Sequence, residues 1–289
     1  MRLRRLAPLA LLLVLPLLAF LALGCEDEGE EAPPAASPTA KAAASPTAGA
    51  AAVPELEDGT LRVGSDIAYA PFEFYQEGTE TADGLDVDIG KAIAEELGVE
   101  VEFINTGFDG IIEALRTDEF DVIMSAMTIT DERQQQIDFV PYLSVGTGIL
   151  VPAGNPEGVG GLEDLCGLTV AVQVGTIQVD LLNEQNAECD QPINIVTFDT
   201  NPLAVEDLRT GGADANFSDF PVAALDAEES DGALEFVVPQ VAPEPYGIGV
   251  RKESTALKEA IAGALQAIRD SGEYDDILAR WNLEATALP

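Results

Sequence analysis

Polar or glycine residues stand at the ends of four predicted strands, several of them directly before a helix. In an open α/β sheet, ligands bind in the crevice beyond the carboxyl ends of the strands. Each of these residues alone also fits a helix cap or a turn. Four strand ends of this kind together predict a binding cleft. The residues are Asp66, Ser125 with Thr128, Gly175 with Thr176, and Asp219.

Composition excludes several kinds of chemistry. The 289 residues include 52 Asp and Glu against 14 Lys and Arg, a formal charge of −38. Because phosphate contacts need clustered Lys and Arg, we expect no nucleic-acid partner and no electrostatic docking on an anionic membrane. The chain has no histidine, which excludes Ser-His-Asp triads, Cys-His pairs and His-ligated zinc or copper. We expect no catalytic residues, metal or cofactor.

Short apolar runs alternate with amphipathic helical patterns from Leu61 onward. Hydrophobic residues make up 47% of the chain, enough for a sizeable core. The length of 289 residues predicts one large or two ordinary domains. The alternation predicts an α/β fold with largely parallel sheets. The predicted strands are 61–65, 99–104, 121–125, 169–174, 193–197 and 214–218, and the predicted helices are 88–97, 110–116, 176–185, 202–209, 257–268 and 274–281.

The pattern consists of two similar sets. Residues 114–117 (ALRT) and 207–210 (DLRT) each lead into a predicted strand. Since no distinct linker separates the sets, we predict two α/β lobes joined by two strands that form a hinge over a cleft. The last two helices are expected to pack back on the first lobe. The predicted lobe 1 is 58–145 plus 247–289, and the predicted lobe 2 is 146–246 with the hinge crossings.

The N-terminal 57 residues have the composition of an export signal and a spacer. Three arginines precede an apolar run, which predicts a signal peptide at 1–24. The run ends before Cys25 in a sequence that resembles the lipobox of bacterial lipoproteins, and this implies cleavage there and a lipid on the cysteine sulfur. An uncleaved membrane helix is the alternative. Residues 25–57, rich in Ala, Pro, Ser and Thr, predict a disordered tether.

Three cysteines in an exported chain leave one unpaired. If Cys25 carries a lipid, Cys166 and Cys189 remain as a candidate disulfide in an oxidising compartment. Two separate buried thiols are the alternative.

Four segments resemble those of one protein family. Residues 84–89 (GLDVDI) match the signature of bacterial extracellular solute-binding proteins, family 3, and residues 66–74 (DIAYAPFEF) look like the first binding loop of that family. Residues 129–133 (ITDER) look like its ligand-carboxylate loop, and residues 246–248 (YGI) like its return hinge. The resemblance implies a two-lobe, type II periplasmic-binding-protein-like fold, and a function as the amino-acid receptor of an ABC importer.

The chemistry of a free amino acid agrees with that resemblance. Arg133 offers a planar, always-charged fork to an α-carboxylate. Thr128 and Thr176, with backbone amides at nearby helix starts, would complete the cradle. The α-ammonium needs an anion across the cleft, and the family resemblance assigns this role to Asp219.

Tyr69 and Phe108 match the aromatic pair that sandwiches the ligand side chain in the family. For each of them, packing in the apolar core is the alternative. They complete the predicted binding site. The predicted ligand-binding residues are Asp66, Tyr69, Phe108, Ser125, Ala126, Thr128, Arg133, Gly175, Thr176 and Asp219.

Asp66 carries most of the information on the substrate. A carboxylate beside the ligand side chain attracts donors and repels anions, which favours glutamine, arginine, lysine or histidine over glutamate or aspartate. Gln173 stands where some glutamine binders carry lysine, and Ala126 replaces a serine common in binders of cationic amino acids. The choice between glutamine and a basic amino acid therefore stays open.

We therefore expect a monomeric, exported binding protein, lipid-anchored to the outer face of the cell membrane or to the periplasmic side in a diderm. Its partners would be a polar amino acid, the permease subunits of an ABC importer and, through the lipid, the membrane. One alternative is a prephenate or arogenate dehydratase on the same scaffold, with Glu73 as the only acid placed near the cleft. Another is a sensory amino-acid-binding protein that acts with a receptor in trans.

Overall fold

The computed structural model describes residues 53–288, except for the side chain of Val238. The predicted signal peptide, the lipidation site at Cys25 and most of the predicted tether lie outside these residues. A short 3-10 helix, Pro54–Leu56, opens the described part. Val53 and Leu56 pack against the neighbouring apolar core, so the described fold begins within the last residues assigned to the tether.

Ten strands and eight α-helices make up the described residues. In chain order they are β1 (Thr60–Ser65), β2 (Phe74–Tyr75), β3 (Ala82–Asp83), α1 (Leu85–Leu97), β4 (Glu100–Asn105), α2 (Ile111–Arg116), β5 (Val122–Ile123), α3 (Asp131–Gln136), β6 (Asp138–Pro152), β7 (Thr169–Gln173), α4 (Ile177–Glu188), β8 (Asn194–Phe198), α5 (Asn201–Arg209), β9 (Ala215–Asp219), α6 (Phe220–Glu229), β10 (Leu234–Val250), α7 (Thr255–Ser271) and α8 (Glu273–Arg280).

Eight of the strands form one hydrogen-bonded sheet in the order β4-β1-β5-β10-β6-β9-β7-β8. β1 pairs in parallel with β4 and β5, and β7 pairs in parallel with β8 and β9. Between these groups, β6 and β10 run antiparallel to each other and to their neighbours β9 and β5. The two-lobe, type II periplasmic-binding-protein-like α/β fold is therefore confirmed. We call the half built on β1, β4 and β5 lobe 1, and the half built on β7, β8 and β9 lobe 2.

The strands that join the lobes are the longest of the fold, with 15 residues in β6 and 17 in β10. Their register shifts at three points between Val237 and Gly247. Such irregularities bend a strand pair locally, and here they lie where the pair passes from one lobe to the other. The predicted lobe boundaries fall inside these two strands, and their positions stay a prediction.

Lobe 1 is organised around one large apolar cluster. Leu61 of β1, Ile89 and Ile93 of α1, and Ile261 of α7 are all buried in it, so the last two helices pack on the first long helix. Helix α1 begins after Gly84, whose φ is +131° and whose added Cβ would lie 2.1 Å from the carbonyl oxygen of Phe72. Only glycine fits there without moving the first binding loop.

Lobe 2 has a smaller core and a covalent link. Its main cluster unites Val170 and Val172 of β7 with Leu182 of α4 and Phe217 of β9. A disulfide joins Cys166, which precedes β7, to Cys189 at the end of α4, with 5.5 Å between the Cα atoms. The predicted pairing of these two cysteines is confirmed.

Two helices depart from the predicted pattern. The segment predicted as a binding loop forms the short helix α3, in which the Thr130 hydroxyl caps the amide of Arg133 at 3.2 Å. Helix α6 follows β9 without an intervening loop, with Asp219 as both the last strand residue and the N-cap. Strand-to-helix turns of this kind place the strand-end side chain at the edge of the cleft.

Candidate ligand-binding cleft

A cavity lies between the lobes at the carboxyl ends of β1, β5, β7 and β9. Its volume is about 310 Å³, part of which is open to solvent. The lining residues are Asp66, Tyr69, Glu73, Phe108, Ser125, Ala126, Thr128, Arg133, Gln173, Thr176, Ile177, Gln178 and Asp219.

Nine of the ten predicted ligand-binding residues line this cavity. The tenth, Gly175, lies beside it and accepts a hydrogen bond from Arg133 through its carbonyl. That these residues bind a ligand stays a prediction. Ile177 and Gln178 were missed, although their position in the first turn after Gly175-Thr176 was a usable signal.

Arg133 is held at the lobe 1 side of the cavity with 9% of its surface exposed. Its Nη1 donates to the carbonyl of Thr128 at 2.8 Å, and its Nη2 donates across the cleft to the carbonyl of Gly175 at 3.1 Å. The guanidinium also stands 5.4 Å from the centre of the Phe108 ring, within cation–π range. Burial lowers the pKa of Arg133, but an arginine keeps its charge under ordinary conditions.

Asp219 faces Arg133 from lobe 2. Its Oδ2 accepts a hydrogen bond from the Tyr69 hydroxyl at 2.8 Å, and its Oδ1 accepts one from Gln178 Nε2 at 2.8 Å. Burial raises the pKa of Asp219 to about 6, although hydrogen bonds from tyrosine and glutamine and the nearby Arg133 oppose the shift. The side chain is therefore mostly ionised at neutral pH and gains from a cationic partner.

The third part of the cavity is a group of acids on lobe 1. The Asp66 amide donates to Ser125 Oγ at 2.9 Å, and Ser125 Oγ donates to Glu73 Oε1 at 2.7 Å. Glu73 is fully buried, and its Oε2 has no hydrogen-bond partner among the described residues. Burial, followed by the charge of Asp86, raises the pKa of Glu73 well above its usual value. Both effects favour the protonated form of this carboxyl group.

Gln173 connects this acidic group to lobe 2. Its Nε2 donates to Asp66 Oδ2 at 2.6 Å and to the carbonyl of Asp199 at 3.2 Å. Burial raises the pKa of Asp66, and this hydrogen bond partly opposes the rise. The hydrogen bond between Gln173 of lobe 2 and Asp66 of lobe 1 therefore spans the cleft.

A second layer fixes the loop after β5. Asp86 accepts hydrogen bonds from the Ala126 amide at 2.9 Å and from the Tyr142 hydroxyl at 2.7 Å. Ala126 has a φ of 44°, a left-handed conformation that is uncommon for a residue with a Cβ. Burial raises the pKa of Asp86 to about 6. The signature residue Asp86 therefore holds the backbone beside the cavity.

Within residues 53–288 no group of three or more acidic, histidine or cysteine side chains has the arrangement of a metal site. In the same part of the chain, no helix is both long and apolar enough to cross a bilayer. The cavity instead offers a guanidinium and a carboxylate on opposite walls, with aromatic rings between them. This geometry suits a small zwitterion with a polar side chain.

The fold and the cleft are those of a two-lobe solute-binding protein. The sequence model of bacterial extracellular solute-binding proteins, family 3, matches residues 61–284. The chain belongs to this family.

Three relatives illustrate the similarity. The arginine-binding protein ArgT of Corynebacterium glutamicum is 33% identical over 231 residues, which cover 78% of this chain and 75% of ArgT. An ancestral arginine-binding protein bound to glutamine is 38% identical, with a TM-score of 0.73 and coverage of 78% of this chain and 99% of that one. An ancestral amino acid-binding protein, a precursor of cyclohexadienyl dehydratase, is 38% identical, with a TM-score of 0.72 and coverage of 78% and 96%.

Proposed function

We propose that this chain is the substrate-binding component of an ABC importer and captures a polar L-amino acid, glutamine or a basic amino acid, by closure of its lobes. The family and its amino-acid-binding relatives support the general role. The choice of ligand and the permease partner are our inference.

The observation that carries the proposal is the placement of Arg133 and Asp219 on opposite walls of one buried cavity. An α-carboxylate on Arg133 and an α-ammonium on Asp219 would link the two lobes through a single ligand. Binding then favours the closed form, because the ligand makes both contacts only when the lobes are together. The permease would recognise that closed pair of lobes.

Anchoring follows from the part of the chain outside the described residues. In this proposal Cys25 carries a lipid after removal of residues 1–24, and the tether keeps a monomeric binding domain near the outer face of the membrane. Mass spectrometry of the protein from membranes would test it, because an unmodified Cys25 or an uncleaved leader contradicts the anchor.

A thermal-shift screen of the purified protein against the twenty amino acids tests the binding function. A ligand at a hundred times its Kd adds about 2.7 kcal/mol to the free energy of unfolding, which is a clear rise in Tm. We expect the rise from glutamine or from arginine and its relatives. A folded, ligand-free protein that responds to none of the twenty would rule out the amino-acid function.

One observation favours a second candidate. Glu73 is a buried acid with a free oxygen in the cavity wall, and one similar structure is a precursor of a dehydratase. A buried carboxyl group with a raised pKa is able to act as a general acid on a leaving hydroxyl. Turnover of prephenate that disappears in Glu73→Gln would support an enzyme, whereas absence of turnover leaves the binding function.

A further inference from the structure

Gly175 is the predicted ligand-binding residue that lies beside the interlobe cavity rather than in its wall. It is an exposed residue of the loop between β7 and α4 in lobe 2. Its φ of +76° is a left-handed conformation, which favours glycine. A role other than lining the cavity is needed to account for its contacts.

Those contacts are made with the opposite lobe. The Gly175 carbonyl accepts a hydrogen bond from Arg133 Nη2 at 3.1 Å. A Cβ added at Gly175 would lie 2.9 Å from the Cα of Asp109 and 3.0 Å from one of its carboxylate oxygens. Asp109 belongs to lobe 1, in the short 3-10 helix Phe108–Gly110 that precedes α2. The backbones of the two lobes therefore meet at this point.

The contact leaves no room for a side chain on the lobe 2 side. Carbon atoms in contact are normally about 3.5–4.0 Å apart, so a Cβ at position 175 would require the two backbones to separate by about 0.6 Å. The nearest obstacle is the Asp109 Cα, which cannot rotate away as the end of a side chain can. Separation of the lobes here would also weaken the hydrogen bond between Arg133 and the Gly175 carbonyl.

A second glycine of lobe 2 shows that backbone conformation alone does not produce such a contact. Gly211 has a φ of +81°, yet an added Cβ there would meet nothing within 4 Å. Among the described glycines with positive φ, Gly175 alone has its near contacts in the opposite lobe. Two requirements therefore coincide at Gly175, a left-handed backbone and a close approach across the cleft.

We propose that Gly175 is a positioning residue for closure: because it has no side chain, lobe 2 reaches Asp109 of lobe 1, and this contact sets how far the cleft closes around a ligand. The inference rests on the proposed amino-acid-binding function and extends it. A change that disfavours the closed form lowers the apparent affinity by the same factor. Since the contact lies outside the cavity, that factor is the same for every ligand.

The test adds a side chain at position 175. Asparagine tolerates the left-handed region, so Gly175→Asn adds a Cβ with little backbone strain, and Gly175→Ala adds one without a polar group. Isothermal titration calorimetry measures the dissociation constants of arginine, lysine, histidine and glutamine. We expect both variants to weaken each ligand that the unmodified protein binds by about 5- to 100-fold, the effect of overpacking a close contact. The ratios between ligands should stay unchanged.

Gly211→Asn and Gly211→Ala are the matched controls, because they add the same side chains to a left-handed glycine of the same lobe that has open space around it. They should leave every dissociation constant unchanged. The two alanine variants should lower the melting temperature similarly, since both carry the same backbone strain. Melting curves also show whether each variant folds, and if one Gly175 variant does not, the other decides the question.

A double-mutant cycle distinguishes closure from a local effect in lobe 2. Asp109→Gly removes two of the three atoms that a Cβ at position 175 would meet. Combined with Gly175→Ala, it should restore part of the lost affinity, and combined with Gly211→Ala it should show no coupling. A merely local distortion around position 175 would not respond to a change in the other lobe.

The outcomes separate the inference from the function on which it rests. Unchanged affinity in the Gly175 variants, a loss that differs among ligands, or a loss that Asp109→Gly does not relieve overturns the closure role and leaves an amino-acid receptor. Absence of binding by all twenty amino acids to the unmodified protein overturns the receptor, and with it closure driven by such a ligand.

Discussion

The two walls of the cleft are built from different chemistry. Lobe 1 presents two buried carboxyl side chains, Asp66 and Glu73, with Asp86 buried in the layer behind them, and it also supplies the one guanidinium among the lining residues. Lobe 2 presents one carboxylate, Asp219, which accepts from Gln178, and a second amide, Gln173, which donates to Asp66 of lobe 1. Within lobe 1, Ser125 links Asp66 to Glu73, and across the cleft Gln173 of lobe 2 donates to Asp66.

The apolar cores of the two lobes also differ, and the core of lobe 1 is the larger. Lobe 1 buries one large apolar cluster and a second, smaller one, whereas lobe 2 divides its apolar side chains among three smaller clusters and adds a disulfide. A smaller core contributes less to folding stability. We infer that lobe 1 is the pre-organised half of the site and lobe 2 the half that is stabilised by a covalent link and by the ligand.

The largest expected effect comes from removing Arg133, the only cationic side chain among the described residues that line the cavity. Arg133→Ala should weaken amino-acid binding by about 4 kcal/mol, close to a thousandfold, because the ligand carboxylate loses a buried, charge-assisted partner. Titration calorimetry measures the loss. Arg133→Lys should recover only part of it, since an ammonium does not form the planar fork.

Arg116→Ala is the matched control, because Arg116 is an exposed arginine of lobe 1 paired with Glu113 at 2.7 Å. It should bind like the unmodified protein. If Arg133→Ala keeps its affinity, or if Arg116→Ala loses as much, the charged division between the two walls does not control binding.

The second largest effect is expected from removing the disulfide of lobe 2. Replacing both Cys166 and Cys189 by serine should lower the free energy of unfolding by about 3 kcal/mol, because the unfolded chain regains the freedom of the loop between them. Chemical denaturation measures this loss. Affinity for the ligand should hardly change, since neither cysteine lines the cavity. An unaltered stability would show that the small lobe 2 core suffices without the link.

A smaller effect is expected in the second layer of lobe 1. Tyr142→Phe removes the hydroxyl that donates to Asp86 and should lower the free energy of unfolding by about 1–3 kcal/mol, the cost of an incompletely paired buried acceptor. Binding should remain within a few-fold of the unmodified protein if this network only positions the wall. A large loss of affinity with unchanged stability would place Tyr142 in the site itself.

The sequence predicted the parts of this molecule that depend on local pattern. The strand ends at Asp66, Thr128, Thr176 and Asp219 were found because apolar runs stop there, and all four residues line one cavity. The pairing of the two cysteines followed from counting.

What the sequence did not predict depends on contacts between distant segments. Helix α6 begins directly after the last residue of β9. No turn residues between the two elements indicated where the helix starts. The hinge strands contain several prolines and glycines, which hid their length. The amide orientation of Gln173 follows from Asp66, 107 positions away in the chain, and no local pattern contains that information.

The smallest expected effect, and the one that compares the two walls most directly, is the response to pH. The pKa is about 6 for Asp86 in lobe 1 and about 6 for Asp219 in lobe 2, because burial disfavours both charges. In the unfolded chain an aspartate has a pKa near 4, so between about pH 4 and 6 the folded protein holds more protons than the unfolded chain. Without ligand, stability should therefore be higher at pH 5 than at pH 7.5, and melting curves will show it.

Binding should change in the opposite direction, because the ammonium group of the ligand needs an ionised Asp219. From pH 7 to pH 5 the affinity should fall about tenfold, or 1.4 kcal/mol. Asp86→Asn should reduce the pH dependence of stability and leave that of binding, whereas a loss of both in this variant would mean that the two walls titrate as one unit.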